Sequence, residues 1–241
     1  TGSEGSTIVS GDANIISQSK QTTIGGGINN QILGSSFGGI FSGKDNLISM
    51  KGNAFVFNLI VGGGGNEITS SQVDGAKHNV IVGGSANKIY ENNSSDEKNV
   101  IVGGAANKIF DVDHSFIGGG NGNEIRGGSS LSGMFATIPG GKQNIINLTG
   151  DSGLGITIGG GAENEITAST SSDFIFLGTT IAGGYRNKIY SSEANNASTF
   201  IGGGRDNKIQ ESIEASILGG RSNTITNANS GSILGGNNNN L

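Results

Sequence analysis

Few side chains in this chain could do chemistry, and most of them sit at spacings that suit none. The only histidines are His78 and His114, and there is no cysteine. A three-ligand zinc site built from His and Cys therefore cannot be assembled from one copy. Asp111-Val112-Asp113-His114 alternates two carboxylates with an imidazole, a conceivable cation site, but a solvated turn is the stronger reading. Glu163 and Glu165 are carboxylates of the kind that cleave glycosidic bonds, which needs two such groups about 5–9 Å apart. Nothing separates that pair from the other acids of the repeat. Gly-x-Gly-x-x-Gly fragments arise from composition, with no helix to follow, so they are not nucleotide loops. The chain is expected not to be an enzyme and to need no metal or cofactor.

The residue that does recur at a fixed place is asparagine. A nine-residue unit, Ile-x-(Gly/Ser)-Gly-x-x-Asn-x-(Ile/Leu), occurs thirteen times in 241 residues, beginning at Ile8 and again at Ile24, with the last copy at Ile233. Its Asn column is Asn14, Asn30, Asn46, Asn66, Asn87, Asn107, Asn123, Asn144, Asn164, Asn187, Asn207, Asn223 and Asn239. Asn can bond its own backbone and tolerates left-handed conformations, so a single one is ordinary turn chemistry. A whole column in register predicts a ladder, each side-chain amide bonding the next across coils about 4.8 Å apart. Calcium-binding β-rolls would need Asp after their glycines, turn after turn. Here the recurring residue is neutral.

The elements that would hold such a column follow from the two Ile columns, eight residues apart, and a shortest repeat of sixteen. Helical periodicity does not give this register, and paired glycines would weaken a helix by roughly 1 kcal/mol each. Two short strands per coil do give it, with glycine at positions three and four forming a corner where φ is positive. The expectation is an all-β fold: a parallel β-solenoid (β-roll or β-helix) of about thirteen coils. It is a single repeat domain over residues 1–241, rich in Gly, Asn and Ile, and a segment of a longer fibre.

The outward neighbours of the two Ile columns differ. Those around the first Ile are often apolar, including Val61, Val82, Val102, Phe116, Phe200, Leu218 and Leu234. A strand apolar on both faces is normally buried on both. These residues are the candidate subunit seam, closed by a sister chain in a homo-oligomer, with a trimer favoured. The alternative is a single solenoid whose long connectors cover the face. A regular Thr array of the ice-binding kind is broken, because Val80, Phe116 and Phe200 interrupt Thr23, Thr137, Thr157 and Thr180. Around the second Ile the pattern alternates, with Glu67, Lys88, Lys108, Glu124, Glu165 and Lys188 outside, the mark of a solvated face. Glu67/Lys88, Lys108/Glu124 and Glu165/Lys188 are opposite charges on neighbouring coils.

All variation in repeat length lies in the connector from the ninth position to the next Ile, and insertions confined to one corner build one row of loops. Asn92, Asn93, Asp96, Asp173 and Glu193 are candidate binding residues there. Solvated, drifting loops account for the same composition. Asn92, Asn93, Asn147 and Asn196 head Asn-x-Ser/Thr sequons. With a net charge of −5, fourteen basic residues scattered singly and no Trp, the chain lacks the basic stripe that nucleic acid requires. No apolar run reaches membrane-spanning length.

The Ile8-to-Ile233, Gly11-to-Gly236 and Asn14-to-Asn239 columns cover nearly the whole chain. In them it resembles the β-roll heads of trimeric autotransporter adhesins and the trimeric β-helical shafts of bacteriophage tail fibres. Adhesin heads use a shorter repeat with Ala-Ile-Gly strands and have no Asn column, so the likeness is one of architecture. It implies an elongated, extracellular protein of a cell or virion surface, binding a receptor or surface glycan. The function expected is a structural and adhesive fibre segment presenting a row of polar loops. The alternatives are a purely structural self-assembling filament or matrix protein and, less favoured, a polysaccharide-degrading spike.

Overall fold

The computed structural model describes residues 2–55, 57–73, 77–92, 98–128, 135–149, 153–169, 176–191 and 198–241, and all regular structure among them is β. The chain divides into two compact units, Thr1–Gly120 and Asn121–Leu241, each a parallel β-solenoid with two strands per coil.

In the first unit the first strands run from Thr7–Ile8 to Phe116–Ile117 and the second strands from Ile15–Ser17 to Lys108–Phe110. Ile8 pairs with Ile24 and Ile24 with Ile40 in one sheet, as Ile16 pairs with Ile32 and Ile32 with Ile48 in the other. Stacking Ile on Ile fills the space between the two sheets, and from Ile24 to Ile117 both columns are fully buried. Such a core is linear. Each coil buries its pair only against the coils before and after it.

Between the strands the coil turns on single-residue rungs. The fifth motif position forms a ladder of isolated bridges from Asp12 to Ile28, Lys44, Gly64, Ser85 and Ala105. In the lean coils Glu4, Lys20 and Ser36 form another on the opposite side, so a sixteen-residue coil has four sides. The corner geometry departs from the sequence reading in one respect. Positive φ falls at the fourth position, as at Gly84 (φ 86), but not at the third, Gly83, and it recurs at the sixth, as at Ala86 (φ 55), rather than at Asn87. A Cβ on Gly84 would meet Gly104 O and lie 2.6 Å from Asn87 Nδ2, so only glycine fits. The residue before each Asn carries the left-handed twist, which leaves the Asn side chain free for the ladder.

The second unit repeats the plan. Its first strands run from Ala136–Ile138 to Ser232–Ile233 and its second strands from Glu124–Arg126 to Thr224–Thr226. Ile146, Ile166, Ile189, Ile209 and Ile225 stack in register. The corner again uses a left-handed glycine, as at Gly220 (φ 94).

Two expectations need correction. The number of closed turns falls short of about thirteen: among the described residues thirteen first strands alternate with twelve second strands, and the last motif copy, from Ile233, adds no second strand. The insertions also do not leave the coil at once as loops. They first lengthen the second strand, from three residues at Ile15–Ser17 to nine at Leu47–Phe55 and seven at Glu67–Val73, with a register shift between Met50 and Lys51. Another connector adds the pairing of Gly153–Leu154 with Phe176–Leu177.

Candidate functional site

The Asn column is a buried ladder with a richer pattern than side chain to side chain. Within the first unit each Oδ1 accepts the backbone N–H of the next Asn: Asn30 on Asn14 at 2.9 Å, Asn46 on Asn30 at 3.2 Å, then Asn66, Asn87 and Asn107 in turn at 3.0 Å each. Each Nδ2 donates to two carbonyls, one across its own corner and one in the next coil. Asn87 Nδ2 reaches Gly83 O at 2.9 Å and Gly104 O at 3.2 Å. The second unit repeats this from Asn123 through Asn144, Asn164, Asn187, Asn207 and Asn223 to Asn239, with backbone donors at 3.0–3.1 Å. Direct amide-to-amide bonds accompany the ladder at some steps, such as Asn207 to Asn187 at 3.1 Å. The corner carbonyls turned inward by the left-handed glycines are satisfied by these amides, so the column is structural.

Sequence reasoning missed a second, shorter ladder. Asn58, Asn79 and Asn99 lie two residues before Ile60, Ile81 and Ile101 and are buried. Asn79 N donates to Asn58 Oδ1 at 3.0 Å, Asn99 N to Asn79 Oδ1 at 2.9 Å and Ser115 N to Asn99 Oδ1 at 2.8 Å. The constant offset was present in the sequence, but Thr22 and Gly38 in the neighbouring coils hide the column. Beside it runs a corner stack, three residues before the same Ile column. The rings of Phe37 and Phe57 lie 5.0 Å apart and those of Phe57 and His78 5.6 Å apart, nearly parallel. Together with Phe41, Leu59 and Val80 they line an open apolar cleft of about 470 Å³.

This cleft belongs to the outward face of the first strands, where the candidate seam residues fall into two groups. In the first unit Val61, Val82, Val102 and Phe116 share the outer face with Phe41. Val82 and Val102 are each 41% exposed and Phe41 55%, while Val61 is half-buried. In the second unit Phe200 is half-buried and Leu218 and Leu234 are exposed. Around them stand Thr137, Thr157, Thr180, Ser216 and Ser232 in neighbouring coils, with Ser216 and Ser232 joined at 3.0 Å.

The outer face of the second strands is polar and salt-bridged. Lys88 Nζ lies 2.8 Å from Glu67, and Lys188 Nζ 2.9 Å from Glu165. Glu124 departs from the expected solvated face: it is buried and pairs with Arg126 in its own strand. Glu165 also receives the Tyr190 hydroxyl at 3.0 Å and Thr167 Oγ1 at 3.1 Å. Burial pushes its carboxyl up, but the bonds from Lys188 and Tyr190 outweigh that and hold it below its ordinary value. The Lys188 amine is raised, chiefly by its bond to Glu165. Glu165 is thus committed to a network with Lys188, Tyr190 and Thr167.

Of the candidate binding residues, Asn93, Asp96, Asp173 and Glu193 lie outside the described residues, as does the sequon residue Asn196. Asn92 is described and is tied down. Its side-chain oxygen accepts from Ser71 Oγ, and its backbone N–H donates to Asp111 Oδ1 at 2.5 Å. Burial raises the Asp111 carboxyl, partly countered by that bond. Asn147 is half-buried within the strand Ile145–Thr149. Among the described residues no group of three or more His, Asp or Glu is placed to hold a metal ion, and no helix is long and apolar enough to cross a membrane. Compared with known proteins, the chain matches no family model and no curated protein.

Proposed function

We propose that the chain is a structural and adhesive fibre segment, working outside the cell or on a virion surface, whose copies associate through the first-strand face of residues 1–120. One observation carries this reading. Phe41, Val82 and Val102 stand 41–55% exposed on a regular, parallel sheet face, with half-buried Val61 between them and the apolar cleft beside them. Contiguous apolar surface of this kind marks an interaction site, and a second copy is the partner that supplies a face of matching rise, since symmetric homo-oligomers dominate. Three copies around a common axis are the arrangement implied by the resemblance to trimeric fibres. The salt-bridged second-strand face stays in water, and the connectors are left free to meet a receptor or surface glycan.

Light scattering of the full chain over a dilution series tests the seam. The expected result is a fixed multiple of the 24.2 kDa chain mass that persists on dilution. Val82→Glu with Val102→Lys keeps a cross-strand pair on neighbouring coils and is expected to yield monomer. Thr157→Glu with Thr180→Lys, which places a like cross-strand pair on the outward face of neighbouring first strands in the second unit, is expected to leave the mass unaltered. A monomeric wild type overturns the seam. Growth without limit at rising concentration favours the purely structural filament.

A further inference from the structure

The fifth motif position, which forms the narrow side of the coil between the two strands, carries a different chemistry in residues 121–241. There its bridge ladder reads Ala162, Tyr185, Arg205, Arg221, Asn237. Arg205 and Arg221 are direct cross-coil partners, about 4.8 Å apart along the stack. Like charges set opposite one another in a sheet are unfavourable, so the fold gains nothing from this placement by itself.

The neighbours do not remove the excess charge. Asp206 is shared by two guanidiniums, with Arg186 Nε 2.9 Å from Oδ1 and Arg205 Nε 3.1 Å from Oδ2. Both cations also lie over the Tyr185 ring, at 4.7 and 5.6 Å from its centre. Arg205 is thereby held at its Nε edge. Among the described residues no acceptor is found for its terminal nitrogens and no ion pair for Arg221. The cluster is three guanidiniums to one carboxylate, on a chain whose net charge is −5.

We propose that Arg205 and Arg221, flanked by Tyr185, form an anion-binding strip that takes the sulfate or carboxylate groups of an acidic polysaccharide. Guanidinium forks bind planar oxyanions with two parallel bonds, and two forks on consecutive coils can hold successive charged groups of one extended chain. The Tyr185 ring, 36% exposed, offers an apolar surface for the sugar next to the first fork. The patch is too narrow for a nucleic-acid duplex, which needs a basic stripe over many phosphates. The proposal rests on the adhesive reading above and supplies its ligand class.

The test is titration of the full chain with dextran sulfate, polygalacturonate, neutral dextran and poly-glutamate at one fixed salt concentration. One of the two acidic polysaccharides is expected to bind, neutral dextran is not, and poly-glutamate is expected to bind more weakly. Arg221→Ala, a change at an exposed side chain outside the Asp206 network, is expected to weaken polysaccharide binding roughly tenfold. Arg205→Ala with Arg221→Ala is expected to abolish it while the oligomer mass stays unchanged. Lys142→Ala, in the same ladder three coils before Arg205, is expected to have no effect. Polysaccharide binding that survives both arginine variants overturns the strip and leaves adhesion by another surface standing. Equal weakening by Lys142→Ala, equal or tighter binding of poly-glutamate, or no binding of either acidic polysaccharide also overturns it.

Discussion

The two halves of this chain share an interior and differ in what they show to water. In residues 1–120 and in residues 121–241 the same Ile columns are buried and the same Asn ladder closes the same glycine corner. Outside, the column before the first Ile carries Leu59, Val80, Val100 and Phe116 in the first half but Thr137, Thr157, Thr180, Ser216 and Ser232 in the second, where Phe200, Leu218 and Leu234 are the apolar exceptions on the same face. The narrow side differs as well: its ladder reads Asp12, Ile28, Lys44, Gly64, Ser85 and Ala105 in the first half, but Tyr185, Arg205 and Arg221 stand consecutively in the second, after Lys142 and Ala162. A solenoid coil separates the residues that fold it from those that act, because each inward position is fixed by the coils on either side while outward positions answer only to solvent or a partner. Inward columns therefore repeat, and function is sought where the outward columns break their repetition.

The largest effect expected of any single change is at the corner. Gly84→Val and Gly220→Val each force a branched side chain into a left-handed position whose Cβ has no room. Each is expected to cost about 3 kcal/mol or more, read as a lower urea midpoint. Similar losses in the two halves would confirm a shared interior, and tolerance in one half would break the comparison. Next come Asn87→Ala and Asn207→Ala. Each leaves one corner carbonyl, Gly83 O or Gly203 O, and the backbone N–H of the next Asn without their partner, while Gly104 O and Gly220 O keep a backbone donor, with an expected loss of about 2 kcal/mol, again alike in both halves.

The smallest effect sharpens the comparison on the outer face. Glu165 is held below its ordinary value of 4.5, so its network stabilises the fold fully above that pH. That stabilisation is lost as the pH falls through the lower, folded value. Lys188 is raised above 10.5, so its share is present below that pH and fades as the pH rises through the folded value. The pair is partly exposed, and the total is expected to stay within about 1 kcal/mol. Tyr190→Phe removes one of the bonds that hold Glu165 down, so acid unfolding of this variant is expected to show a shallower loss as the pH falls below 4.5. An unchanged acid limb would mean that Tyr190 contributes nothing to the network.

Much of the fold was readable in the repeat. Ile at positions one and nine fixed two strands per coil, and the in-register pairing of Ile24 with Ile40 and of Ile146 with Ile166 follows directly. The corner was readable in outline, since glycine at the fourth position in every copy demands positive φ. Which other residue turned left-handed was not. Ala86 and Asp206 give no sign of it, because that twist is imposed by the bridge at the fifth position and by the Asn that follows. Of the sites, the apolar outer columns were visible by residue type. The Asn58-Asn79-Asn99 ladder and the Phe37-Phe57-His78 stack lie in columns too mixed to stand out one coil at a time.

The sequence by itself determined the solenoid, the identity of its core and the fixed place of its Asn ladder, because a side chain at a constant offset from a buried Ile must recur at the same point of every coil. Only the tertiary structure decided which partners those side chains meet. Connectors of unequal length bring residues sixteen to twenty-three positions apart into direct contact. Whether Asn92, in a connector of unequal length, is tied to Ser71 and Asp111 therefore depends on coil stacking that linear distance does not reveal.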